Sequence, residues 1–131
     1  MSRSFEQDLL SQKIIGCAIE VHRTLGPGLL ESVYEQSLVM ELSETGIEFE
    51  RQVPIPVTYK GHDLARGCRA DLLVEDSYGL DLKAVETLLP VHQAQTLTYM
   101  KLTNRPFGLL LNFNTARLIH GIRRLENPAA L

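Results

Sequence analysis

Features that would assign a function outright are missing from these 131 residues. There is no glycine-rich phosphate loop and no nucleophile motif, so small-molecule metabolic chemistry has no basis in the sequence. Only two cysteines occur, Cys17 and Cys68. They are far apart, lie in apolar or strand-like segments and cannot form a Cys-only zinc site, so both read as reduced packing residues. His22, His62, His92 and His120 lack metal-ligand spacing. Only His92, one helical turn before Gln95, is placed to face a site. No stretch approaches the roughly 18 to 20 apolar residues that span a bilayer. The N-terminus does not combine a basic region, an apolar run and a cleavage site. A soluble, cytoplasmic protein without membrane contact is therefore expected. With no repeat, low-complexity segment or linker, and with 44% hydrophobic residues, residues 1–131 read as one domain.

Positive charge is also scarce, the net charge being -3. That argues against coating duplex nucleic acid by charge alone. The distribution is uneven. Nine acids stand against Lys13 and Arg23 between Phe5 and Glu50, whereas Lys101, Arg105, Arg117, Arg123 and Arg124 fill the stretch from 101 to 124 without an acid. The basic end could face a polyanion or be an ordinary solvated surface.

Periodicity predicts a helix over Phe5 to Leu25, with Leu10, Ile14, Ala18, Val21 and Leu25 on one face. Ile15 and Ile19 widen that face, which implies burial on more than one side. Gly26-Pro27-Gly28 ends it. A second helix, Leu29 to Glu44, carries a stripe of Leu30, Val33, Tyr34, Leu38 and Leu42, and Gly46 stops it. Phe49 to Tyr59, Arg69 to Glu75 and Gly79 to Val85 then read as a three-stranded antiparallel meander. Gly61-His62-Asp63 reads as a turn between strands. Pro54 and Pro56 each remove a ladder donor and put the first strand at an edge or break it. A helix from Val91 to Thr103 and a buried strand from Phe107 to Phe113 follow, with Arg117 to Arg124 as a further strand. Tyr59 and Phe113 read as core aromatics.

Chemistry enters on the two inner strands. Side chains alternate across a strand, so Asp71 shares a face with Leu73, and Asp81 with Lys83. A hairpin turning through Asp76, Ser77 and Tyr78 sets Asp71 opposite Lys83, and a two-residue shift sets it opposite Asp81. Either register groups all three. Cross-strand neighbours approach within about 5 Å, so two carboxylates there could share one hard cation. Taken alone, the trio could equally be a surface ion pair with a solvated Asp81. Flanking Leu72, Leu73, Val74, Leu80 and Leu82 make the strands look central, where charge requires a partner or a purpose. Glu31 sits at the margin of the second helix's stripe, in the dipole-favoured first turn. Gln95 and Tyr99 present an amide and a phenol on one helical face.

Gly28-Leu29-Leu30-Glu31-Ser32-Val33-Tyr34 resembles the GxxExxY signature of small bacterial and archaeal proteins assigned to the PD-(D/E)XK nuclease superfamily. The likeness runs from Ile14 to Arg124 through Arg69–Val74, Leu80–Glu86, His92–Gln95 with Tyr99, and Gly108–Phe113. It implies an α/β, restriction-endonuclease-like core of helix, three-stranded antiparallel meander, helix and strand, with an extra N-terminal helix and a final strand. Asp71 and Asp81 would be the acidic positions, Lys83 the lysine, and Glu31 a further carboxylate. Gln95 and Tyr99 are similar to a Gln-xxx-Tyr element that positions the strand. Two departures stand out: Ala70 replaces the namesake proline, and Asp81 replaces a more usual glutamate, drawing the carboxylate back by about 1.5 Å.

The expected activity is hydrolysis of nucleic acid, with DNA the first choice. Mg2+ or Mn2+ would be held by Asp71, Asp81, the carbonyl of Leu82 and Glu31. The alternative is a non-catalytic module of the same fold that binds a partner protein or nucleic acid. Homodimer formation is left open.

Overall fold

The computed structural model describes residues 2–130, apart from the side chains of residues 2–8, 65 and 66. Two helices come first: α1, Ser2–Leu25, and α2, Glu31–Thr45. Strands β1, Phe49–Tyr59, β2, His62–Val74, and β3, Tyr78–Lys83, lead into α3, Pro90–Thr103. Strand β4, Phe107–Asn112, a 3-10 turn at Leu118–Gly121 and strand β5, Ile122–Glu126, follow, before a last 3-10 turn at Pro128–Ala130. The five strands form one sheet in the order β1-β2-β3-β4-β5. Strands β1, β2 and β3 are the expected antiparallel meander. α3 carries the chain across so that β4 lies parallel to β3, and β5 returns antiparallel. This is a mixed α/β arrangement of the restriction-endonuclease-like kind.

The two sheet faces are covered differently. Leu72, Val74, Leu80, Leu82, Leu109 and Leu111 pack with Ile14, Ala18 and Val21 of α1 and with Tyr34, Leu38 and Leu42 of α2. The alternate residues of β2 and β3 point the other way, where Leu73 packs with Ile55, Ala70 and Tyr99. All six residues of β4 are buried, as its continuous apolar run predicts. Each such leucine contributes about 1.5–3 kcal/mol by leaving water.

Several expectations change in detail. α1 is buried on one side only, with Ile19 40% exposed. Leu30 is 74% exposed because it is the extended residue preceding α2 and not part of its stripe. Strand β2 starts at His62, so the turn after β1 is Lys60-Gly61 and the hairpin is longer than predicted. Tyr59 lies near its tip, exposed, while Phe113 is in the core. Residues 118–121 form a 3-10 turn, which moves the last strand to Ile122–Glu126. Cys17 is buried and Cys68 half-buried, both as free thiols. β1 is the sheet edge, and its register shifts between Ile55 and Val57, at Pro56.

Candidate functional site

The meander's second turn decides what faces what. It runs through Glu75, Asp76 and Ser77, one residue earlier than predicted. Tyr78 then starts β3, fully buried and stacked on Phe107 at 5.3 Å between ring centres. Pairing is Leu72 with Leu80 and Val74 with Tyr78. One step further along that register, Asp71 lies level with Asp81, so the predicted alternative opposite Lys83 is not adopted. Asp71 Oδ2 accepts a hydrogen bond from the Leu82 N–H at 2.8 Å. Asp81 is 0% exposed and faces α3. There the Thr96 hydroxyl donates to Asp81 Oδ2 at 3.2 Å, and Lys83 Nζ stands 3.4 Å from Oδ1. That separation is an ion-pair distance without hydrogen-bond alignment, so Oδ1 is a buried oxygen with no hydrogen-bond donor.

Two carboxyls this close repel when both are ionised. Burial, above all, pushes Asp71 up to about 7; the Leu82 N–H opposes that shift, and the charges of Asp81 and Glu35 add to it. Burial also raises Asp81, opposed chiefly by the Lys83 ammonium and the Thr96 hydroxyl. The pair therefore calls for something positive between its oxygens, either a shared proton or a cation. Tyr99 is raised too, first by burial and then by the charges of Asp81 and Asp71. Its phenol stays protonated and within the field of the pair.

Asp71 opens into a cleft of about 380 Å³ lined by Glu31, Ser32, Glu35, Arg51, Gln52, Arg69 and Leu82. The loop before α2 explains how Glu31 arrives there. Gly28 adopts a φ of 99°, which a side chain would resist. The Tyr34 hydroxyl donates to the Gly26 carbonyl at 2.6 Å and accepts from the Leu29 N–H at 3.1 Å. Glycine and tyrosine thus fix the entry to α2, and Glu31, in its first turn, accepts from the Ala84 N–H at 3.4 Å, just past β3. Among the described residues, no group of three or more His, Cys, Asp or Glu is arranged to hold a metal ion. Glu31 shares the cleft with Asp71. α2 packs on the sheet face opposite to the one where Asp81 meets α3.

Gln95 and Tyr99 line a separate groove of about 370 Å³ between β2 and α3, with Cys68, Arg69 and Thr98. They adjoin the aspartates through Arg69, which lines both spaces. His92 does not face the site. Its Nδ1 accepts from the Leu89 N–H at 2.9 Å and closes the start of α3.

A family model described as the PD-(D/E)XK nuclease superfamily matches residues 8–125. The chain belongs to that superfamily. No curated protein and no solved structure matches it.

Some of this superfamily member's site residues escape a reading of the sequence. Thr96, fully buried beneath Asp81, stands four residues before buried Met100. That spacing marks the inward face of α3 and is the signal that distinguishes Thr96 from its neighbour Gln95. Glu35 is 7% exposed and held by Arg51, at 3.1 and 3.0 Å, and by Gln52. It lies one helical turn after Glu31, a usable signal. Gln52 has a φ of 48° at the position opposite Asp71, and no local pattern announces that. Asn112 clamps the chain after β3, accepting from Val85 N–H at 3.0 Å and donating to its carbonyl at 2.9 Å.

Proposed function

We propose that this protein is a divalent-metal-dependent nuclease that hydrolyses phosphodiester bonds of nucleic acid, with Asp71, Asp81 and Lys83 as its catalytic residues. One observation carries the reading: a fully buried aspartate, Asp81, and a half-buried one, Asp71, stand level on adjacent strands, with an Asp81 oxygen lacking a hydrogen-bond donor and a lysine beside it. The donor set fits Mg2+ or Mn2+, hard cations that take oxygen ligands and keep waters. Asp71 and Asp81 would hold the ion with the Leu82 carbonyl, and Glu31, on the rim of the cleft, adds negative charge on the cation's side. When bound, the metal supplies Lewis acidity and a more acidic water. Lys83 orients the attacking water or stabilises charge on the phosphoryl oxygens, a role its ammonium can fill from its place beside Asp81. Gln95 and Tyr99 position the strand. The Gly28, Glu31 and Tyr34 geometry supports the GxxExxY group within the superfamily, and DNA is the first substrate to try.

Cleavage of labelled single-stranded DNA, duplex DNA and RNA in Mn2+ and in Mg2+ tests this, comparing wild type with Lys83→Ala. Metal-dependent cutting that the variant loses supports the enzyme, whereas equal cutting in both preparations marks a contaminant. The net charge of -3 and Asp81, where glutamate is more usual, favour one other reading, a non-catalytic module that binds a protein or nucleic acid. Asp81→Glu separates the two: an enzyme keeps or gains metal-dependent cleavage, and a binding module stays inert.

A further inference from the structure

Three cations stand near the aspartates, and two are engaged. Lys83 faces Asp81, and Arg51 is tied to Glu35. Arg69 makes no hydrogen bond or ion pair through its guanidinium with any described residue. It is exposed, and it precedes Asp71 by two residues on β2, which puts both on one face of the strand. It also stands where three concavities meet. These are the aspartate cleft, the groove containing Gln95 and Tyr99, and a hollow of about 540 Å³ along β1 with Gln52 and Pro54. An arginine with no duty beyond solubility need not sit at that junction.

A guanidinium offers five donors in a planar fork that matches a phosphate, and here none is used among the described residues. Two residues of strand span about 6.7 Å, on the scale of one nucleotide step. A phosphodiester at the aspartate pair would therefore have its neighbour within reach of Arg69. The two sides of the site differ. Toward α2 lie Glu31 and the Glu35–Arg51 ion pair, toward α3 lie Gln95, Thr98 and Tyr99, and Arg69 stands between the two. A duplex brings a second phosphate backbone, which on the α2 side would meet the exposed carboxylate of Glu31.

We propose that Arg69 anchors the phosphate adjacent to the scissile one, and that the nucleic acid it holds is a single strand running from the aspartates into the groove of Gln95 and Tyr99. The assignment rests on the nuclease reading above. It goes beyond it by naming a substrate-binding residue and the strandedness of the substrate.

Fluorescence anisotropy of a labelled oligonucleotide, with Ca2+ as the only divalent ion, reads binding without cleavage. The single strand binds wild type more tightly than the matching duplex does. Arg69→Ala weakens single-strand binding about tenfold, the loss of one charged hydrogen-bonded contact. It also flattens the plot of log affinity against log salt by about 0.7, the contribution of one phosphate on a single strand. Arg69→Lys keeps the slope. Because the side chain is exposed, the variants fold, and circular dichroism verifies that. If wild type binds the strand and Arg69→Ala matches it in affinity and slope, the anchor is refuted while the nuclease reading stands. Preference for the duplex overturns the strandedness. No binding of either form by wild type removes the nucleic-acid reading and the anchor together.

Discussion

Asp81 is fully buried and Asp71 half-buried, so their ionisation couples directly to folding. A carboxyl raised to about 7 in the folded chain favours the protonated native state. Its contribution to stability is fully present below the ordinary carboxylate pKa and is lost as pH rises through about 7. Metal-free protein should therefore show a melting temperature that falls between pH 5 and pH 8. In Asp71→Asn the slope should shrink, since the amide still accepts from the Leu82 N–H but cannot ionise. Thermal melts in a chelator check this, and an unchanged slope would show that the pair does not govern it. At this scale the sequence was informative where alternation alone decides. Asp71, Asp81 and Lys83 share a face because a strand has period two. It marked Thr96 only as inward-facing; that its hydroxyl finds Asp81 follows from how α3 packs across the sheet.

Packing of α3 on β4 depends on Gly108. A Cβ there would lie 2.5 Å from Met100 Sδ and 3.0 Å from Thr96 Cγ2. Gly108→Ala would push the helix away and draw Thr96 from Asp81, costing about 1–3 kcal/mol as an overpacked core does. Gly16→Ala is the control, because its Cβ would meet nothing within 4 Å on an exposed helical position. It should gain about 0.5–1 kcal/mol from helix propensity. Urea unfolding measures both, and equal effects would mean the contact at Gly108 relaxes freely. Elements were legible where local chemistry is decisive. Pro54 and Pro56 put β1 at the edge, and the apolar run of β4 marked a strand covered on both faces. Helix α1's second apolar face and the place of Tyr59 were not. Both depend on which surfaces other elements reach, and among the described residues nothing packs on Ile19 or Tyr59 closely enough to bury them.

For the molecule as a whole, a chain of net charge -3 offers a divalent ion more than one acidic surface. One lies where β2 ends, a concavity of about 400 Å³ lined by Glu48, Glu50, Glu75 and Asp76. Among the described residues no helix is long and apolar enough to cross a membrane. An ion that binds only the folded chain adds about 2.7 kcal/mol at a hundred times its dissociation constant. For a domain of this size, that is a rise on the order of 10 °C. Mn2+ at pH 7.5 should raise the melting temperature of wild type by that order. Asp71→Ala should begin from a higher metal-free value, because one of two repelling carboxylates is gone, and should gain little from Mn2+. These opposite shifts distinguish the aspartate pair from diffuse acidic binding, which would raise wild type and variant alike. A parallel rise in both would place the ion elsewhere on the acidic surface and leave Asp71 and Asp81 as a proton-sharing pair inside a non-catalytic domain.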